Sequence, residues 1–180
     1  MRIIAGAWRG RALLAPPGAT TRPTADRVRQ ALFDRLMHAP WAGRVVVEGA
    51  RVLDAFAGTG ALGLEALSRG AAHATFIENN RTALAILRAN IAACRAEHRC
   101  TVLAADALHP PHGAGCTLLF LDPPYGANLV PQAVTALAAA GWIGQGTLII
   151  AELGRDDPPP IAEPLDDRTQ GAARVIAWQL

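Results

Sequence analysis

Residues 53–65 read LDAFAGTGALGLE, an apolar strand end that runs into Gly58-Thr59-Gly60-Ala61-Leu62-Gly63, the spacing G-x-G-x-x-G. Glycines between a strand and a helix let a backbone approach a nucleotide, but they also let the two elements pack closely. The stretch therefore decides the fold before it decides the ligand. It opens a βαβ unit, and a dinucleotide, another nucleoside or packing alone remain open at this point.

The rest of the chain repeats that unit. Strands are expected at Arg51–Phe56, Ala74–Glu78, Thr101–Ala105, Thr117–Asp122 and Gly146–Glu152. Helices are expected through Leu62, Leu64 and Leu67 to Gly70, from about Arg81 to Cys94 and near Leu129 to Ala140. Such alternation implies a mostly parallel sheet with helices on both faces, an α/β fold. Ala173–Trp178 reads as a last, isolated strand. Ahead of the first unit, Ile3-Ile4 and Leu13-Leu14 flank a glycine-containing turn, a candidate hairpin ended by Pro16-Pro17-Gly18. Thr24 is placed to cap a helix over Ala25–Met37, which Pro40 ends.

At 180 residues, 51% hydrophobic and 18% charged, the chain suits one compact unit. Its 17 glycines and 13 prolines lie between apolar runs and act as turn punctuation. Cys94, Cys100 and Cys116 form no C-x-x-C pair and no cluster with histidine, so neither a metal site nor a disulfide framework is indicated, and a reducing cytoplasm fits. His109 and His112 read as loop residues beside prolines, and Trp142 and Trp178 as packing residues. No stretch reaches the roughly 18 apolar residues of a membrane span, so a soluble, cytoplasmic protein is expected.

The net charge of +2 hides an asymmetry. Residues 1–44 carry eight arginines against Asp26 and Asp34, net +6, and residues 45–180 carry nine arginines against thirteen acids, net −4. There is no lysine. A basic N-terminus is either a solvated face or a nucleic-acid surface, and charge alone leaves both open.

In open α/β sheets ligands bind beyond the carboxyl ends of the strands. The residues found there are Asp54 with the glycine turn, Glu78, Asp106-Ala107 and Asp122-Pro123-Pro124-Tyr125. Glu78 suits ribose hydroxyls. Asp54 would oppose a pyrophosphate but suits a ligand that has an amino group and a positive centre and lacks phosphate, such as S-adenosylmethionine. After Asp122, two prolines stiffen the chain and leave carbonyls as acceptors, and Tyr125 offers a face for a flipped-out base. Asp122 and the Pro123 carbonyl, accepting two hydrogens from an exocyclic amine, would favour a nitrogen whose lone pair attacks a methyl group in line.

These residues, with Arg2-Ile-Ile-Ala-Gly-Ala-Trp-Arg-Gly-Arg11 and Thr21-Arg-Pro-Thr-Ala-Asp-Arg-Val-Arg29, make the chain resemble the RsmD family. Its members are class I S-adenosylmethionine-dependent 16S rRNA (guanine(966)-N(2))-methyltransferases. The resemblance runs from Arg2 to about Glu152. It implies a Rossmann-like sheet of seven strands, the last pair antiparallel, with an N-terminal hairpin and helix for RNA over residues 1–44 and a transfer unit over 45–180. Asp54, Gly58, Gly60, Glu78, Asp106 and Ala107 would hold the cofactor. Asp122, Pro123, Pro124 and Tyr125 would hold the guanine amine, and Trp8, Arg9, Arg11, Arg22, Arg27 and Arg29 would face RNA. The implied partner is small-subunit ribosomal RNA, free or in an assembling ribosomal particle, met by a monomeric enzyme without metal. Two departures stand out: Asn80 occupies a place where an acid is expected, and Arg168-Thr-Gln-Gly171 lacks an aromatic before the glycine. The rival activities are N6-adenine methylation of DNA or RNA, NAD-dependent oxidoreduction, and RNA binding without catalysis.

Overall fold

In the computed structural model, β1 (Arg51–Ala55), β4 (Leu118–Leu121) and β5 (Leu148–Gly154) form the centre of the sheet. They are nearly continuous apolar runs because both of their faces are covered. The structure describes residues 1–16, 23–124, 128–155, 157, 160, 163–170 and 173–180. Tyr125 and Arg22, like Pro17 and Gly18, lie outside these.

The remaining strands are β2 (His73–Glu78), β3 (Cys100–Ala104), β6 (Asp166–Gln170) and β7 (Ala173–Gln179). The seven-stranded order is β3-β2-β1-β4-β5-β7-β6, parallel except that β7 runs antiparallel to both β5 and β6. Strand order reverses between β1 and β4, which is where this class of sheet opens a ligand crevice.

Side-chain alternation divides the core in two. One cluster gathers Val52, Phe76, Phe120 and Ile150 beneath α1 (Pro23–His38), α3 (Ala61–Ser68) and α4 (Arg81–Cys94). The other gathers Leu53, Ile77, Leu121 and Ala151 beneath α5 (Leu129–Ala139), with Trp142 and Trp178 buried in it. Ile3, Leu13, Phe33 and Leu36 belong to the first cluster, so the N-terminal segment packs on the α1, α3 and α4 face.

Three expectations need correction. Ala173–Gln179 is not isolated: it lies between β5 and β6. β6 itself escaped the strand count because its sequence, DDRTQ, has no apolar alternation, as befits a charged edge strand. Helix α1 starts at Pro23, with proline in the first-turn position that tolerates its missing N–H, so Thr24 lies inside the helix and does not cap it. The expected N-terminal hairpin is present but short: the antiparallel bridge of Arg2 with Ala12 is framed by Ile3 N–H donating to the Arg11 carbonyl, Gly10 N–H to the Ile3 carbonyl and Leu13 N–H to the Met1 carbonyl. One short helix, α2 (Arg44–Val47), had no sequence signal long enough to read.

Candidate active site

The strand parity that sorts the core also sorts the acids. Asp54, Glu78, Asp122 and Glu152 continue the alternation of Val52, Phe76, Phe120 and Ile150, so all four stand toward the α1, α3 and α4 face. They occupy the carboxyl ends of four neighbouring strands, β2-β1-β4-β5, astride the reversal.

The glycine turn is built for this edge. The chain enters the left-handed region at Phe56 (φ 72°), Gly58 (φ 54°) and Gly60 (φ 78°). Such a conformation costs a phenylalanine about 1–3 kcal/mol and is commonest at functional sites. Here two backbone bonds hold it, with the Phe56 and Ala57 N–H groups both donating to the Ile77 carbonyl. The acids complete the turn. Gly58 N–H donates to Glu78 at 2.7 Å, and Gly63 N–H in the first turn of α3 donates to Asp54 at 2.9 Å. A methyl group on Gly63 would sit 2.4 Å from the Phe76 ring, whereas one on Gly58 would meet open space. Gly63 is thus a packing and donor position, and Gly58 leaves room for an approaching ligand.

Asp54 is 2% exposed and, among the described residues, has no cation beside it. Burial pushes its pKa up to about 7; the Gly63 N–H opposes the shift, and the Asp122 and Glu78 charges add to it. A buried carboxylate without a counter-charge suits a ligand that brings one. The ammonium and sulfonium of S-adenosylmethionine fit this donor set, and a pyrophosphate does not. Glu78 also accepts the Asn80 N–H at 2.7 Å, so its two oxygens organise the turn while further lone pairs remain for a ribose. Asn80 caps α4, accepting from Thr82 and Ala83 N–H, a role that an asparagine side chain fills without a charge.

Asp106 follows β3 and stays charged. Its pKa is lowered first by the Leu108 N–H and then by the His109 ring, while Ala107 beside it is buried. Pro123 is buried and Pro124 exposed. Asp122 is exposed by surface area; the protein packed about its carboxyl, and then the like charge of Glu152, raise its pKa above the ordinary carboxylate value.

The basic segment behaves less uniformly. Arg9, Arg11 and Arg27 are exposed. Arg11 also anchors itself by donating to the Ala93 carbonyl at the C-terminal end of α4. Trp8 is half-buried, with the Arg99 guanidinium 5.7 Å from its ring. Arg29 corrects the expectation of an RNA-facing residue. It is 5% exposed, donates to Asp26 and the Arg2 carbonyl, and lies 3.7 Å from Glu65, so it braces the framework.

Three residues passed over in the sequence prove central. Glu65, fully buried, accepts from the Ile4 and Ala5 N–H groups and pairs with Arg69. Asn90, also fully buried, donates to the Leu14 and Thr59 carbonyls and accepts from the Leu14 N–H, tying the N-terminal segment to the glycine turn. Glu65 and Asn90 lie on ordinary helix patterns with no signal of their partners. Glu152 did carry a signal, since the strand-end rule that singled out Asp54 and Asp122 applies equally to β5.

A family model described as conserved hypothetical protein 95 matches residues 1–179. The chain is 41% identical over 153 residues to ribosomal RNA small subunit methyltransferase D of Escherichia coli K12, an alignment covering 84% of this chain and 74% of that protein. It is 37% identical over 188 residues to the Haemophilus influenzae protein of the same name, covering 100% and 92%. A solved candidate methyltransferase from Escherichia coli, yhhF, superposes with a TM-score of 0.85 at 36% identity, covering 99% of this chain and 97% of that one. With a Rossmann-like class I methyltransferase sheet and relatives that match it over most of their length, the chain belongs to the RsmD family.

Proposed function

We propose that this protein transfers a methyl group from S-adenosylmethionine to the exocyclic N2 amine of a guanine in small-subunit ribosomal RNA, guanine 966. The observation that carries the chemistry is the placement of Asp54 and Asp122 on one face at the carboxyl ends of adjacent parallel strands, β1 and β4. The relatives named as small-subunit rRNA methyltransferases support the substrate.

Asp54, Gly58, Gly60 and Glu78, with Asp106 and Ala107, hold the donor, which supplies an electrophilic methyl carbon on a sulfonium. Asp122 and the Pro123 carbonyl accept the two amine hydrogens and turn the nitrogen lone pair toward that carbon. As the new C–N bond forms the C–S bond breaks, sulfur keeps the electron pair, and one amine proton leaves. Asp122 takes that proton, and its raised pKa makes it a stronger base than an ordinary carboxylate. Tyr125 serves as the stacking face for the base. Trp8, Arg9, Arg11, Arg22 and Arg27 contact RNA, with arginine forks suited to phosphate.

The test is transfer of a tritiated methyl group to small-subunit rRNA and, in parallel, to DNA. Mapping the modified nucleotide in rRNA from cells with and without the protein completes it. Label in guanine 966 is expected; labelled adenine in DNA with unlabelled rRNA would overturn the proposal.

A further inference from the structure

The strand register brings a second carboxylate beside Asp122. β4 and β5 pair in parallel with Leu121 opposite Ala151, so the next residues, Asp122 and Glu152, emerge side by side from adjacent strands. Parity turns both to the same face, because Leu118, Phe120, Leu148 and Ile150 share one core cluster. Neighbouring strands lie about 4.8 Å apart, so two acceptors at their ends can converge on one edge of a planar base. The cleft at this point is walled by Pro123, Pro124, Leu129, Val130 and Leu153, with Asn128, Asp157 and Glu152 as its polar groups. Asp157 also borders the cleft, but its carboxylate accepts the Gly154 N–H at 2.8 Å and belongs to that turn. Glu152 is half-buried, and its charge reaches Asp122.

Two adjacent carboxylates select for a base edge with adjacent donors. Guanine presents N1–H next to its N2 amine. Adenine presents an N1 lone pair next to its N6 amine and would set that lone pair against a second carboxylate. We propose that Glu152 is the base-selecting residue, its carboxylate accepting the guanine N1–H while Asp122 holds the N2 amine. This rests on the guanine-N2 reading above. Asp122 with Pro123 recognises an exocyclic amine, and Glu152 decides which purine carries it. A site built around such a hydrogen bond rejects an analogue lacking the donor far better than one built on shape alone.

The experiment uses rRNA fragments bearing guanine or 2-aminopurine at the target position, with initial rates of tritiated methyl transfer as readout. 2-Aminopurine keeps the N2 amine but offers an N1 lone pair. Wild-type protein is expected to favour guanine by about 10- to 100-fold. In Glu152→Gln the amide donates as well as accepts, and the preference should narrow by about tenfold or more. The missing O6 acceptor of the analogue would lower both enzymes' rates alike, so the narrowing isolates N1. Calorimetric affinity for S-adenosylmethionine within about twofold of wild type identifies a folded variant, since an ordinary substitution away from the donor leaves that affinity in place. If that variant does not fold, Glu152→Ala takes its place and should narrow the preference in the same way. Equal wild-type rates on the two RNAs, or a glutamine variant that keeps the full preference, overturn the assignment. Failure to label any guanine in rRNA is a different result and overturns the guanine-N2 reading beneath it.

Discussion

Asp54 connects the chemistry of the site with the stability of the fold. Its pKa rises from 3.8 to about 7 on folding, so between these values the folded chain retains a proton that the unfolded chain has released. Stability contributed by this group is complete below about pH 4, falls as pH rises toward 7 and is flat above. The full shift corresponds to about 4 kcal/mol. Asp54→Asn should therefore match wild type near pH 4 and exceed it by up to about 4 kcal/mol at pH 8, as denaturant unfolding at the two pH values would measure. The same variant should bind S-adenosylmethionine more weakly, a trade of function for stability. Asp122→Ala has the opposite profile. It should lower methyl transfer by about 100-fold or more while leaving calorimetric cofactor affinity largely intact, because the partner proposed for Asp122 is the base.

At the scale of elements, the N-terminal segment, α3 and α4 act together. Arg9 is exposed to solvent, whereas Arg11 both faces solvent and grips the end of α4. Replacing both with alanine should weaken RNA binding and reduce the slope of log K against log salt by about 0.7–0.9 for each phosphate that the variant no longer neutralises. Asn90 is the joint between this segment and the glycine turn. Asn90→Ala leaves the Leu14 N–H and the Thr59 carbonyl without their partner. It should cost about 2–4 kcal/mol in denaturant unfolding, with a parallel decrease in cofactor affinity by calorimetry. A mutation that touched only packing would move the first measurement and spare the second.

The whole molecule packs its N-terminal segment on the sheet face toward which Asp54, Glu78, Asp122 and Glu152 stand. Ile3, Leu13, Phe33 and Leu36 share a core with Phe76 and Phe120. We propose the division between residues 1–44 and 45–180 as one of labour, RNA contact against transfer. Removing residues 1–14 would expose Glu65, which is fully buried against the Ile4 and Ala5 N–H groups. The truncated chain should lose its cooperative thermal transition, as circular dichroism would show; retention of a wild-type transition would make the segment an appendage. Among the described residues no helix is long and apolar enough to cross a membrane.

The linear order of residues determined what is local. The alternation of apolar runs specified the βαβ units. Glycines at 58 and 60 marked a turn requiring positive φ, and Asp54, Glu78, Asp106 and Asp122 stood where strands must end. Those features depend on near neighbours in sequence, and period and turn chemistry report them. The polar edge strand β6 was illegible because its pairing with β7, and not its composition, makes it a strand. Arg29 read as a surface cation because nothing nearby in sequence announces Glu65, 36 positions away. Asn90 and Glu152 take their roles from Leu14, Thr59 and Asp122, which only folding brings near. Sequence thus determined the elements and the acids at their ends; tertiary structure decided which acids share a face, because that depends on strand register and sheet order.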